Sequence, residues 1–132
     1  MVGILVISHG SLAAGLKDAA EMIMGQQGQF QAVGLQPQQS PEEFQEIIRA
    51  EVKGLDCGEG VLILADLFGG SPANAAAYLV SDKLNVEVVT GVSLPMLLEA
   101  LTARMGQDLP AVADTCIAAV SQGVRKFSEI FS

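Results

Sequence analysis

The sequence predicts an α/β fold: one doubly wound domain with a mainly parallel sheet of order 2-1-3-4 and helices on both faces. Two observations carry this expectation. Four apolar runs of strand length, at residues 3–7, 30–35, 61–65 and 86–90, are separated by longer segments with helical periodicity. The first and third runs are apolar throughout, as strands buried on both faces require. The order follows because such a sheet starts in the middle and grows outward both ways through right-handed crossovers.

Each connecting segment has helix chemistry of its own. After the first strand, Leu12, Leu16, Ala20 and Ile23 recur at helical spacing. The second helix opens on Ser40 as N-cap, with Pro41 in the first turn and Glu43 completing a capping box. Its apolar face is Phe44, Ile47, Ile48, Val52 and Leu55. Ser71-Pro72 opens a third helix in the same way, running through Ala75, Ala76, Leu79 and Val80. Pro95 begins a fourth, and a last helical segment is expected over residues 110–127. The Gln-rich segments 25–29 and 36–39 read as polar loops. No linker or repeat divides the chain, so residues 1–132 are read as one domain and a free-standing subunit.

Composition narrows the function. Half of the residues are hydrophobic and 17% are charged, the reverse of the balance that disorder needs. A net charge of −8 argues against nucleic acid, which is bound mainly by clustered Lys and Arg. An acidic surface suits either solubility or attraction of a basic protein partner, and charge alone does not separate the two. Cys57 and Cys116 have no metal-ligand or CxxC spacing and read as free thiols of a reducing cytosol. The apolar run at residues 2–7 is too short for a signal peptide, and no stretch approaches the roughly 20 residues of a membrane span. A cytoplasmic location is therefore expected.

The residues with chemical capacity fall at two strand ends. Ser8, His9 and Gly10 follow the first strand, and His9 is the single histidine of the chain. Asp66, Leu67, Phe68, Gly69, Gly70, Ser71 and Pro72 follow the third. In a 2-1-3-4 sheet these two ends are neighbours at the topological switch point, where ligands of such folds bind. A neutral imidazole nitrogen can attack phosphorus. A carboxylate on the other ring nitrogen fixes the tautomer and stabilises the cationic ring. Gly10, Gly69 and Gly70 allow close backbone approach, and the N–H groups of the next helix start, with the Ser71 hydroxyl, can hold phosphoryl oxygens. Singly, each residue has an ordinary reading: a hydrogen-bonded histidine, a turn aspartate, a helix entry without ligand. Their convergence on one crevice is what points to function.

Three segments then carry a resemblance: ILVISHGS at residues 4–11, GVLILADLFGGSPAN at 60–74 and GVSLPML at 91–97. In order and spacing the chain resembles the mannose-family enzyme IIA domains of the phosphoenolpyruvate-dependent sugar phosphotransferase system, from residue 1 to about 104. The resemblance implies that His9 accepts a phosphoryl group from the phosphocarrier protein HPr and passes it to a histidine of a IIB component. Membrane components IIC and IID then select the sugar. Asp66 would orient the ring, and Ser71 with nearby N–H groups would place the phosphoryl. No metal or organic cofactor is implied. A homodimer is implied as well, with a sheet edge completed by an added C-terminal strand, although past about residue 106 no motif matches. Some family members carry Trp where Phe68 stands, which leaves the chemistry untouched.

Two other readings stay open at this level. One is the phosphotransfer subunit of the dihydroxyacetone kinase system, which begins with a similar His-ending strand but usually has Ser in place of Gly10. The other is a regulatory IIA protein not coupled to transport. A receiver domain would need acidic residues around strand one, where this chain has Ser8-His9-Gly10. A hydrolase using His9 as base would need a separate nucleophile or metal ligand set, and a sugar-binding module would need aromatic platforms that one Tyr and no Trp do not supply.

Overall fold

The apolar runs form four parallel strands in the order β2-β1-β3-β4. In the computed structural model, which describes residues 1–131, these are β1 (Gly3–His9), β2 (Phe30–Leu35), β3 (Val61–Ala65) and β4 (Val86–Thr90). Helices α1 (Leu12–Met24), α2 (Pro41–Leu55) and α3 (Ser71–Ser81) connect them in turn. Beyond β4 lie α4 (Leu94–Ala103), α5 (Leu109–Ala118), α6 (Val120–Gly123) and α7 (Phe127–Ile130).

Strand alternation divides the core into two layers. Ile4, Val6, Leu62, Leu64 and Val89 face one way and pack against α1, α4 and α5. Leu5, Ile7, Ile63, Ala65 and Val86 face the other way and pack against α2 and α3. Both central strands are thus apolar in an unbroken run because both of their faces are covered. The Ser40–Glu43 capping box forms as the sequence specifies.

Several local expectations are corrected. β1 runs two residues further than its apolar run, since Ser8 and His9 still pair with Gly34 and Leu35 of β2. Leu16 and Ala20 face the sheet as expected, but Leu12 and Ile23 are exposed, and Ala13 and Met24 complete the inward stripe of α1 in their place. Small alanines there let the helix lie close on the sheet, which outweighs burying the larger neighbours. Gly70, not Ser71, is the N-cap of α3, so Ser71 is the first helical residue and makes no cap bond. The expected helix over 110–127 breaks after Ala118 and again around Val124. Its buried residues end at Cys116, and a helix with no further face to bury has only propensity to hold it. Among the described residues no added edge strand joins β4, and the segment that would supply it is helical over Phe127–Ile130.

One feature of the core has no sequence signal. Arg104 is 2% exposed, and its guanidinium donates to the carbonyl oxygens of Val2 at 3.1 Å, Gln29 at 3.0 Å and Gly28 at 2.7 Å. It clamps the start of β1 to the turn before β2, at the end of the sheet remote from His9. Burial pushes its pKa below the ordinary value, and carbonyl dipoles alone compensate the charge.

Candidate functional site

β1 and β3 are adjacent, with Ile7 opposite Ala65, so the next residues of both strands meet at the carboxyl edge of the sheet. There Oδ2 of Asp66 accepts the backbone N–H of His9 at 2.9 Å and lies 2.8 Å from the ring Nδ1. One carboxylate oxygen therefore holds both the main chain and the imidazole. An ionised carboxylate is an acceptor only, so in the neutral ring Nδ1 carries the proton and Nε2 keeps its lone pair. The His9 side chain is 52% exposed and that of Asp66 only 11%, which shields the carboxylate and leaves the far ring edge open. Burial alone would raise the Asp66 pKa, but the backbone N–H and the ring of His9 outweigh it and hold the carboxyl below its ordinary 3.8.

Two glycines shape the floor. Gly69 has φ +79°, a left-handed conformation that side chains disfavour. At Gly70 a Cβ would stand 3.0 Å from the ring Cε1 and 3.7 Å from Nε2, so the imidazole rests on bare backbone. Asn74 ties this loop down, its side-chain amide donating to the Gly69 carbonyl at 3.3 Å, while its backbone N–H makes the first bond of α3 to the Gly70 carbonyl at 3.0 Å. The loop delivers the chain into α3, whose first-turn N–H groups lack intrahelical acceptors and favour anions. Ser71, exposed in that turn, shares with His9 and Gly10 a cavity of about 430 Å³ walled by Leu35, Pro37 and Phe44. Gly10, at φ +55°, turns the chain out of β1 toward α1.

The structure thus brings together His9, Asp66, Gly70, Ser71 and Gly10 as the sequence suggested, with Gly69 one residue behind. Two contributors were missed. Gly34 of β2 faces Gly10, and a Cβ on it would lie 1.8 Å from the Gly10 carbonyl oxygen. A glycine inside an apolar run was the available signal. Asn74 was missed because its side-chain bond depends on how the Gly69–Gly70 loop closes. Among the described residues no three His, Cys, Asp or Glu side chains gather where a metal could be held. No helix among them is long and apolar enough to cross a membrane.

Comparison with known proteins defines the class. The chain superimposes on the crystal structure of phosphotransferase system component EIIA from Streptococcus agalactiae with a TM-score of 0.90 and 26% identity, covering 98% of this chain and 99% of that one. The fold is that of a phosphotransferase-system IIA component. More narrowly, the family model EIIA-man, described as "PTS system fructose IIA component", matches residues 3–117, and the chain belongs to that family. It is 38% identical over 122 residues to the mannose-specific EIIAB component of Escherichia coli K12, a match spanning 92% of this chain and 37% of that protein. Against the sorbose-specific EIIA component of Lacticaseibacillus casei the identity is 38% over 98 residues, 73% of this chain and 69% of the relative.

Proposed function

We propose that this chain relays phosphoryl groups from phospho-HPr to a histidine of a IIB component, in the cytoplasm, by way of His9 Nε2. The observation that carries the reading is the 2.8 Å contact of Nδ1 with Asp66, which leaves Nε2 as the free nucleophilic nitrogen on the exposed ring edge. In the forward step the Nε2 lone pair forms a bond to phosphorus as the donor's P–N bond breaks, and the proton stays on Nδ1. The ring then carries positive charge, which the adjacent Asp66 stabilises. Ser71 and the α3 N-terminus face the transferred oxygens. Transfer to IIB reverses these bond changes. Leu67 and Phe68, 58% and 85% exposed beside the site, offer an apolar rim of the kind that protein partners cover. The direct test is incubation with phosphoenolpyruvate, enzyme I and HPr. The chain should gain one acid-labile, alkali-stable phosphoryl group, mapped to His9; no uptake overturns the reading.

Gly70→Ala tests the floor of the site. Gly70 has φ −78°, ψ 166°, which alanine adopts without strain, so stability should change by less than about 1 kcal/mol. The new methyl presses on Cε1 of the half-exposed ring and pushes it off its contact with Asp66, and the displaced nucleophile should transfer about 10- to 100-fold more slowly. Melting curves and single-turnover rates together check both halves.

The protein is also proposed to be a homodimer. Val124, Phe127 and Phe131 are more than two-thirds exposed beyond α5, at 77%, 73% and 78%, on a chain whose β4 edge is open. Sedimentation at micromolar concentration should give twice the 13.7 kDa chain mass, and a monomer alone would exclude the dimer.

A further inference from the structure

We propose that Ser8 is a positioning residue for the His9 imidazole, an inference that rests on the phosphoryl-relay reading of the site. Ser8 is fully buried, and among the described residues it shares that state with Arg104 alone of the polar side chains. Its hydroxyl accepts the N–H of Ala13 at 2.8 Å and donates to the carbonyl of His9 at 3.0 Å, with the Gly10 carbonyl further away at 3.4 Å. Both capacities of a hydroxyl are therefore in use, with no solvent to substitute for either.

The consequence lies in what surrounds His9. Its N–H is fixed on Asp66 at 2.9 Å, its carbonyl is fixed by Ser8, and the next N–H, that of Gly10, is fixed on the Leu35 carbonyl at 2.9 Å. The Gly10 carbonyl is confined in turn by Gly34, where a Cβ would lie 1.8 Å away. The Cα of His9 thus sits between two immobilised peptide planes, which sets the direction of its Cα–Cβ bond. The ring then needs only its own two torsions to place Nδ1 on Asp66. Asp66 holds the amino side of this frame and Ser8 the carboxyl side. Ser8 also replaces Ser11, the N-cap of α1, which makes no side-chain cap bond, so the same hydroxyl couples the helix start to the nucleophile's backbone.

A helix cap and a positioning residue differ in what their loss changes. A cap alone lowers the melting temperature and leaves the ring and the rate untouched. For a positioning role, Ser8→Ala should slow phosphoryl uptake from phospho-HPr about 10- to 100-fold, as small misplacements of a nucleophile do. The ¹⁵N shifts of the single imidazole should also move away from the pure Nδ1–H tautomer in the neutral ring. Ser8→Thr, which keeps the hydroxyl, should restore both. Wild-type shifts and rate in Ser8→Ala, or a folded Ser8→Thr as impaired as Ser8→Ala, would overturn the proposal. Should Ser8→Ala fail to fold, Ser8→Cys keeps the volume with a weaker donor, and the same two readouts decide. The imidazole shifts need no phosphoryl donor. A wild type that takes no label would therefore refute the relay while the ring measurement still judges Ser8.

Discussion

Replacing His9 by alanine is expected to abolish phosphoryl uptake, by at least about 10³-fold, as removal of a nucleophile does elsewhere. The chain has no second histidine to inherit the role. The fold should persist, because the ring is half exposed and Asp66 keeps the backbone N–H of residue 9 at 2.9 Å. A circular-dichroism spectrum like the wild type together with no acid-labile label is the expected result. The stability of any residual label is informative. A phosphoryl group on a carboxylate is labile in alkali, whereas one on imidazole is not. Residual label labile in both acid and alkali would place it on an acidic side chain such as Asp66, and residual acid-labile, alkali-stable label would remove His9 from the carrier role.

Asp66→Asn is expected to leave the fold intact and slow transfer by about 10- to 10³-fold, or roughly 1.4–4 kcal/mol of barrier. Removing the orienting carboxylate of a serine-protease triad costs more, about 10⁴-fold, but that site is closed, whereas this ring is open on one edge. The loss has two causes. An amide stabilises the cationic phosphoimidazole less than a carboxylate does. It also presents either an oxygen or an NH₂ group to Nδ1, and in the second case the proton moves to Nε2, the nitrogen that must attack. Stability should respond to pH as well. The folded-state pKa of Asp66 lies below its ordinary 3.8, so its contribution is present above that value and is lost as pH falls through the folded pKa. Acid unfolding of the Asn variant should lack this component. Wild-type transfer rate with wild-type acid sensitivity in Asp66→Asn would show a turn residue and no more.

Much of this was legible in one chain because the signals are local. Strand-length apolar runs, two of them unbroken, fix which strands are central, since only burial on both faces makes such runs favourable. The helix starts at Ser40-Pro41 and before Pro95 follow from capping chemistry within a few residues. Strand order then places His9 beside Asp66 without any coordinates, because adjacent parallel strands end at the same edge. The amino acids at those ends, together with Gly69, Gly70 and Ser71, already bring an imidazole, a carboxylate and a glycine-rich helix entry to one place.

Tertiary structure decided what depends on residues distant in sequence. That one Asp66 oxygen holds both the His9 backbone and its ring requires strand register, which no window of sequence contains. The need for Gly34 arises from the carbonyl of Gly10 on the neighbouring strand. Ser8 reads as an unremarked strand-end residue until its hydroxyl is seen bridging Ala13 and His9. The inward face of α1 was misjudged because apolar spacing marks several stripes equally. Only the placement of the helix on the sheet favours Ala13 and Met24 over Leu12 and Ile23. The C-terminal run broke into short helices because a helix persists where a partner buries its face, and burial past Cys116 is set by the rest of the fold. Local propensity and periodicity thus determined the architecture and the chemical inventory of this protein, while non-local packing and register determined the alignment of the His9 imidazole.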